Sequence, residues 1–155
     1  MDAVQLDGFD RKILALLQED ARLTNGDLSA RVNLSPSQCS RRRQRLEEEG
    51  LIRAYRAVLD RDRLGFSLVS IVSVTLATHN RDNARRFAEL LARLPEVQEA
   101  HALTGEMDYI LKVVTPDLKA LSAFVNGVLL PHDSVQHVKT AIVLETLKET
   151  GALPL

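Results

Sequence analysis

The sequence predicts an α+β protein, an N-terminal winged helix-turn-helix followed by a ferredoxin-like βαββαβ domain. Three observations carry this. Apolar spacing is helical through the first fifty residues. A charged stretch ending in glycine, Asp60-Arg-Asp-Arg-Leu-Gly65, then reads as a hinge. Beyond it, strand-like and helical runs alternate in the order β-α-β-β-α-β. The expected domains are 1–60, including a wing or linker strand, and 61–155.

Residues 6–22 read as the first helix, with Leu6, Phe9, Ile13, Leu14, Leu16 and Leu17 at helical spacing. Asp10, Arg11, Lys12, Gln18 and Glu19 fall on the other faces. Thr24 is a cap for a short helix from about Asn25 to Val32, with Asp27 three residues on. Asn33-Leu34 makes a turn. A third helix then begins with Ser35 as cap, Pro36 in the first helical position and Gln38 completing a capping box. It carries Arg41, Arg42, Arg43 and Arg45 with no acid before Glu47, and Gly50 supplies its left-handed stop. Leu51–Leu59 alternates enough to be a strand or wing. A unit of about sixty residues has a thin core and gains from a partner domain.

In the second half, Ser67–Thr78 is rich in β-formers, and Arg81–Leu94 is helical and closed by Pro95. Val97–Leu103 and Tyr109–Thr115 read as strands around a Thr104-Gly105-Glu106 turn. A helix opens at Pro116-Asp117 and runs to about Leu130, and Val135–Leu147 is the last strand. Both helices of such a unit lie on one face of the sheet. The bare face predicts burial against a second copy, hence a homodimer.

Composition sets bounds. In 155 residues, 45% hydrophobic content suits a globular chain. There is no run long enough to span a bilayer, and the polar start (Asp2, Gln5, Asp7) predicts a cytoplasmic protein without a membrane partner. One cysteine, Cys39, excludes an internal disulfide framework and a Cys-rich zinc site, and helical position makes it a core residue. Net charge is −1, with ten basic and ten acidic residues in 1–60 and ten and eleven in 61–155. Any nucleic-acid signal is therefore local clustering, enough for a regulator making a few phosphate and base contacts.

The third helix supplies that cluster. A capped, arginine-rich helix after a short helix and turn fits the recognition helix of a helix-turn-helix, which makes double-stranded DNA the expected partner. Ser37, Gln38, Arg41 and Arg45 fall on its outward face as base readers, since Arg suits guanine and Gln suits adenine. Ser35, Ser40 and Arg42 fit phosphate contacts. The plainer alternative is a solvated basic face paired with Glu47, Glu48 and Glu49. Arg53 and Arg56 on the wing fit phosphate contacts or an ordinary solvated edge equally well. His79, His101, His132 and His137 show no metal spacing. No phosphate loop, nucleophile elbow or other catalytic arrangement is present, so neither enzyme activity nor a cofactor is expected.

The runs Leu6-Asp7…Asp10…Ile13-Leu14…Leu17…Asp20-Ala-Arg22, Leu34-Ser-Pro36, Arg42…Leu46-Glu…Gly50-Leu-Ile52 and Tyr55-Arg-Ala57 resemble the leucine-responsive/asparagine-responsive (Lrp/AsnC, feast/famine) regulator family. Leu94-Pro-Glu-Val97, Thr104-Gly-Glu-Met-Asp-Tyr109 and Thr140-Ala-Ile-Val-Leu144 sit where that family has similar runs in its sensing domain. The resemblance implies a transcription regulator of amino-acid metabolism or transport. It also implies dimers assembling further, often to octamers, with an amino acid or related effector bound between dimers. Thr104, Gly105, Glu106 and Asp108 would then belong to the effector site, with Asp108 or Glu106 accepting an ammonium and amides near Gly105 holding a carboxylate. Gln136, His137 and Thr140 are the matching candidates for its side-chain end. The plain reading of the loop is a hairpin connection, with Gly105 for its backbone.

Arg43 departs from the family, which usually has an apolar residue there. A charge on the Cys39–Leu46 side must reach the edge or pair with Glu47 one turn on; the options are a slightly rotated helix or a phosphate contact. Two rival functions stay open at this point. One is a stand-alone amino-acid-binding or assembly protein that no longer reads DNA, which salt-dependent DNA binding would separate. The other is a small enzyme on a ferredoxin-like scaffold, which would need turnover of an amino acid.

Overall fold

Three reciprocal capping boxes start the first three helices. The Asp7 carboxylate accepts from the Asp10 N–H at 2.8 Å and the Asp10 carboxylate from the Asp7 N–H at 3.2 Å. Thr24 with Asp27 and Ser35 with Gln38 do the same. Each box satisfies amide hydrogens that a helix start leaves without partners. The resulting helices in this computed structural model, which describes residues 5–78 and 80–155, are α1 (Gly8–Glu19), α2 (Asn25–Val32) and α3 (Pro36–Glu48). Asp2 and His79 lie outside the described residues.

Asn33 turns the chain from α2 into α3 in the left-handed region at φ 58°, a conformation Asn tolerates. Gly50, at φ 72°, ends α3. The Leu51 N–H reaches the Leu46 carbonyl at 2.9 Å and the Gly50 N–H the Glu47 carbonyl at 3.0 Å, the paired bonds of a Schellman stop. Ile13, Leu14, Leu17, Leu23, Leu28, Val32, Cys39 and Leu46 form the core between the helices. Cys39 is fully buried, as its helical position predicts, and burial pushes its thiol pKa up, so it stays a packing residue.

The structure divides into two units. One is the chain up to Val58 together with Lys148–Leu155, and the other is Leu59–Leu147. The tail therefore departs from the expected boundary and joins the helical unit. The Gln18 carboxamide grips its backbone from α1, accepting from the Leu153 N–H at 2.6 Å and donating to the Leu153 carbonyl at 3.2 Å. The expected wing also differs. Residues 53–60 pair with no strand, and Val58 and Leu59 are 99% and 69% exposed. Alternation makes a segment fit for a sheet edge, but a strand needs a ladder partner, and the described residues of this chain supply none.

In the second unit the order is β1 (Leu68–Leu76), α4 (Arg81–Leu91), β2 (Val97–Ala102), β3 (Tyr109–Thr115), α5 (Leu118–Phe124), continued by a π-helical turn Val125–Leu129, and β4 (Val135–Ile142). The sheet runs β2-β3-β1-β4 with every neighbour antiparallel. Val72, Val74, Leu76, Leu111 and Val113 pack with Phe87 of α4, Leu121 and Phe124 of α5 and Leu129. The last strand is shorter than expected. By Ile142 it has reached Ser70, near the start of β1, and Leu144 and Leu147 beyond it are 97% and 87% exposed. Cross-strand register puts Ile71, Ser73 and Thr75 on the opposite face with Ile110, Lys112, Lys139 and His137. No helix among the described residues is long and apolar enough to cross a membrane.

Candidate nucleic-acid interface

Cys39 and Leu46, both fully buried, fix the rotation of α3. Steps of about 100° per residue then send Ser37, Ser40, Arg41, Gln44 and Glu48 outward and leave Arg42 and Arg43 on the flanks of the buried stripe. The exposures agree: Arg41 and Gln44 are exposed, whereas Arg42 and Arg43 are half-buried.

Each flanking arginine is committed. Arg42 Nη1 bonds Asp10 Oδ1 at 2.7 Å and Asp7 Oδ2 at 2.8 Å, and its guanidinium lies 5.5 Å from the centre of the Phe9 ring. Arg45 Nη2 bonds the other Asp10 oxygen at 2.5 Å. Asp10 is 1% exposed, and a buried carboxylate needs such partners. The hydrogen bond to Asp10 in turn raises the Arg42 pKa. The arrangement alters the expected roles of both arginines: their charge is first spent locking α3 to α1. Arg45 remains 43% exposed at the margin of the outward face, while Arg42 is 23% exposed and holds two acids.

Arg43 settles the departure noted in sequence. Neither rotation of the helix nor a phosphate is needed. Its guanidinium stacks on Tyr55 at 4.7 Å, and Nε donates to the Tyr55 hydroxyl at 2.8 Å and to Glu47 at 3.3 Å. Nη1 donates to the Leu23 carbonyl at 3.1 Å. The Tyr55 hydroxyl donates to Glu47 at 2.6 Å, and burial together with that carboxylate raises the Tyr55 pKa. The clasp ties Tyr55 and the α1–α2 connection to α3.

Ser35 and Gln38 are largely occupied by the cap. Gln38 Oε1 accepts from the Ser35 N–H and the Ser35 hydroxyl, both at 3.0 Å. Ser37 shares a 3.0 Å hydrogen bond with Ser35. Arg41 is the arginine of α3 with no ion pair among the described residues, and Ser40 stands exposed beside it. Gln44 was not among the expected contacts, although its spacing three residues after Arg41 was visible in the sequence. Glu47, Glu48 and Glu49 make the C-terminal end of α3 acidic, and its four arginines all precede them.

The second candidate site lies around the β2–β3 loop. Gly105 sits at φ 136°, and nothing lies within 4 Å of where a side chain would begin. Glycine is there for backbone conformation, not for space. Asp108 serves the loop itself: its carboxylate accepts from the Leu76 N–H at 2.7 Å, and its N–H donates to the Val74 carbonyl at 3.1 Å. Thr104 and Glu106 are exposed. The ladder pairs Val74 with Tyr109 and Thr75 with His137, so the loop and the Gln136–His137 pair flank the same end of β1. Gln136 falls in the register shift opposite Thr75 and Leu76. Thr140 is not brought to this end. It pairs with Val72 and points to the helix side of the sheet, opposite to His137.

Comparison with known proteins agrees with both halves of the chain. Residues 6–53 match the winged helix-turn-helix DNA-binding pattern and residues 69–153 the Lrp/AsnC ligand binding domain. The AzlB transcriptional regulator of Bacillus subtilis is 36% identical over 152 residues, covering 98% of this chain and 97% of that protein. The leucine-responsive regulatory protein of Escherichia coli K12 is 38% identical over 148 residues, covering 96% and 90%. Among solved structures, a transcriptional regulator from Neisseria meningitidis in complex with L-Met superposes with a TM-score of 0.93 at 42% identity, covering 97% of each chain. An AsnC family regulator from Agrobacterium tumefaciens gives 0.91 at 38%, covering 96% and 97%.

Proposed function

Because the chain belongs to the Lrp/AsnC family and is a DNA-binding transcription regulator with a ligand-binding domain, we propose that it controls genes of amino-acid metabolism or transport from the cytoplasm, in response to an amino acid. The observation that carries the DNA half is the outward face of α3. Arg41 stands there exposed and without an ion pair among the described residues, between Ser37 and Ser40 on the cap side and Gln44 beyond. Arg41 reads guanine, and Ser35, Ser37, Gln38 and Ser40 position the helix through phosphate or base edges. Arg45, from its half-exposed position, adds to the same edge, and Arg42 acts chiefly by holding the helix.

The effector half rests on the exposed loop at the end of β1 and on a relative solved with L-Met. The ligand class is a free amino acid. Glu106 accepts its ammonium group, amides beside Gly105 hold its carboxylate, and Asp108 holds the loop in shape. Gln136 and His137 meet its side chain. The open sheet face, with half-buried Ile71 and Ile110, packs against a second copy, and such dimers assemble further, to octamers. Two α3 helices in a dimer select pseudo-palindromic half-sites about one DNA turn apart, or a multiple of it.

Selection of bound genomic fragments at near-physiological salt, with and without the twenty amino acids, tests the proposal. Enrichment of a few pseudo-palindromic sites that shifts with the amino-acid pool is expected. Loss of that enrichment in Arg41→Ala, with an unchanged melting curve, places the reading face on α3. No enrichment from a folded oligomer would leave the ligand-binding or assembly reading in its place. Calorimetric titration with single amino acids then tests the loop: Glu106→Gln should weaken binding, and an unchanged affinity would move the pocket elsewhere.

A further inference from the structure

The outward face of α3 carries a second side chain suited to reading bases. Gln44 is exposed, one turn beyond Arg41, and its Nε2 donates to Glu48 Oε1 at 2.8 Å. A carboxylate accepts hydrogen bonds and cannot donate them, so Glu48 selects the amino end of the carboxamide and sets which way round it stands. That bond uses one of the two amide hydrogens. The second hydrogen and the carbonyl oxygen have no hydrogen-bond partner among the described residues. These are the two groups with which glutamine holds adenine in the major groove, donating to N7 and accepting from the N6 amino group.

We propose that Gln44 is a specificity-determining residue that reads one adenine in each half-site, with Glu48 as the positioning residue that orients its amide. The inference rests on α3 being the base-reading helix. Arg41 and Gln44 are separated by about 4.5 Å along the helix axis, against about 3.4 Å between successive bases of a strand, so the guanine of one and the adenine of the other fall within one or two base pairs. Glu48 also limits the footprint. Its carboxylate repels phosphate one turn further on, so Gln44 is the last base-reading position of the helix.

The test is selection from random duplex DNA with the full-length protein, comparing wild type with Gln44→Ala, Gln44→Arg, Glu48→Ala and Glu48→Gln. Thermal melts show that each variant folds. The wild type should prefer adenine at one position per half-site by about 5- to 100-fold. Gln44→Ala should flatten that position alone, and Gln44→Arg should move it toward guanine. Glu48→Ala should weaken the adenine preference several-fold, and Glu48→Gln, which keeps an acceptor oxygen, should restore it. Both Glu48 variants lose the same charge and should strengthen binding to all sequences alike, so the positional profile separates orientation from general electrostatics. A Gln44→Ala protein with the wild-type profile at every position would overturn the assignment. A wild-type protein that selects no sequence would overturn the reading of α3 itself.

Discussion

The two units solve the problem of orientation with different physics. In the helical unit, eight buried side chains form a thin core, and a carboxylate inside it holds two arginines of the next helix but one. In the sheet unit the core is built from β-branched, leucine and phenylalanine side chains, and the buried polar groups beside it, Ser70, Asn83, Thr115 and Ser134, carry no charge. Orientation there follows from strand register, because a one-residue slip would turn every side chain to the other face. A helix on a small core has no such ladder to fix its rotation. Burial of Cys39 and Leu46 sets the rotation of α3, and Asp10 with Arg42 and Arg45, and Tyr55 with Arg43, add directional contacts on its two flanks. Those contacts pair the flanking arginines with acids and leave Arg41 without an ion pair among the described residues. Three of the four arginines of α3 are thus engaged in steadying the helix that carries the fourth.

Substitutions sharpen the contrast. Phe87→Ala, at a fully buried ring packed 5.0 Å from Tyr109, should cost about 3–5 kcal/mol in chemical denaturation, the ordinary price of a large core cavity. Arg42→Ala should cost about 3 kcal/mol, because it strips one cation from a buried carboxylate while Arg45 remains. It should also lower sequence preference for DNA, which Phe87→Ala should disturb only through loss of folded protein. Equal effects of the two on DNA preference, measured on folded protein, would remove the aiming role of the network.

Arg43→Ala should cost about 1–2 kcal/mol, for one stacked cation and its hydrogen bonds. Amide exchange over residues 53–57 should accelerate in this variant. Unchanged exchange there would mean that Tyr55 does not depend on the clasp. The smallest effect concerns acid. The Asp10 backbone N–H, with Arg42, holds the Asp7 carboxyl below its usual value of 3.8. The stability it contributes is therefore present above that value and is lost as pH falls through the lower, folded one. Asp7→Asn keeps a cap acceptor and removes the titration, so its urea midpoint should fall less between pH 5 and pH 3 than that of the wild type.

Local chemistry explains what was legible. The caps at Thr24 and Ser35, the stop at Gly50 and the βαββαβ order all follow from short-range spacing and turn residues. The outward face of α3 was legible in part: Ser37 and Arg41 stand there as expected, whereas Ser40 and Gln44 join them and Arg45 is drawn aside to Asp10. The loop at Gly105 was legible as a site through resemblance to the family, not through its own residues. Gln44 was legible by spacing but overshadowed by the arginines beside it.

Short-range spacing and turn chemistry set the helices and sheet strands, their order and the DNA-binding class, since each depends on residues within a few positions of one another. Folding chose the partners of the charged side chains. Asp10 meets Arg42 and Arg45 across separations of 32 and 35 residues, and the Arg43 clasp and the tail on Gln18 likewise join distant segments. It also left the expected wing without a ladder and set Thr140 on the opposite face from His137. Charge pattern states how many cations a helix carries. Which of them is neutralised depends on acids brought close by folding, because ion pairing decays over a few ångströms in space and is indifferent to distance along the chain.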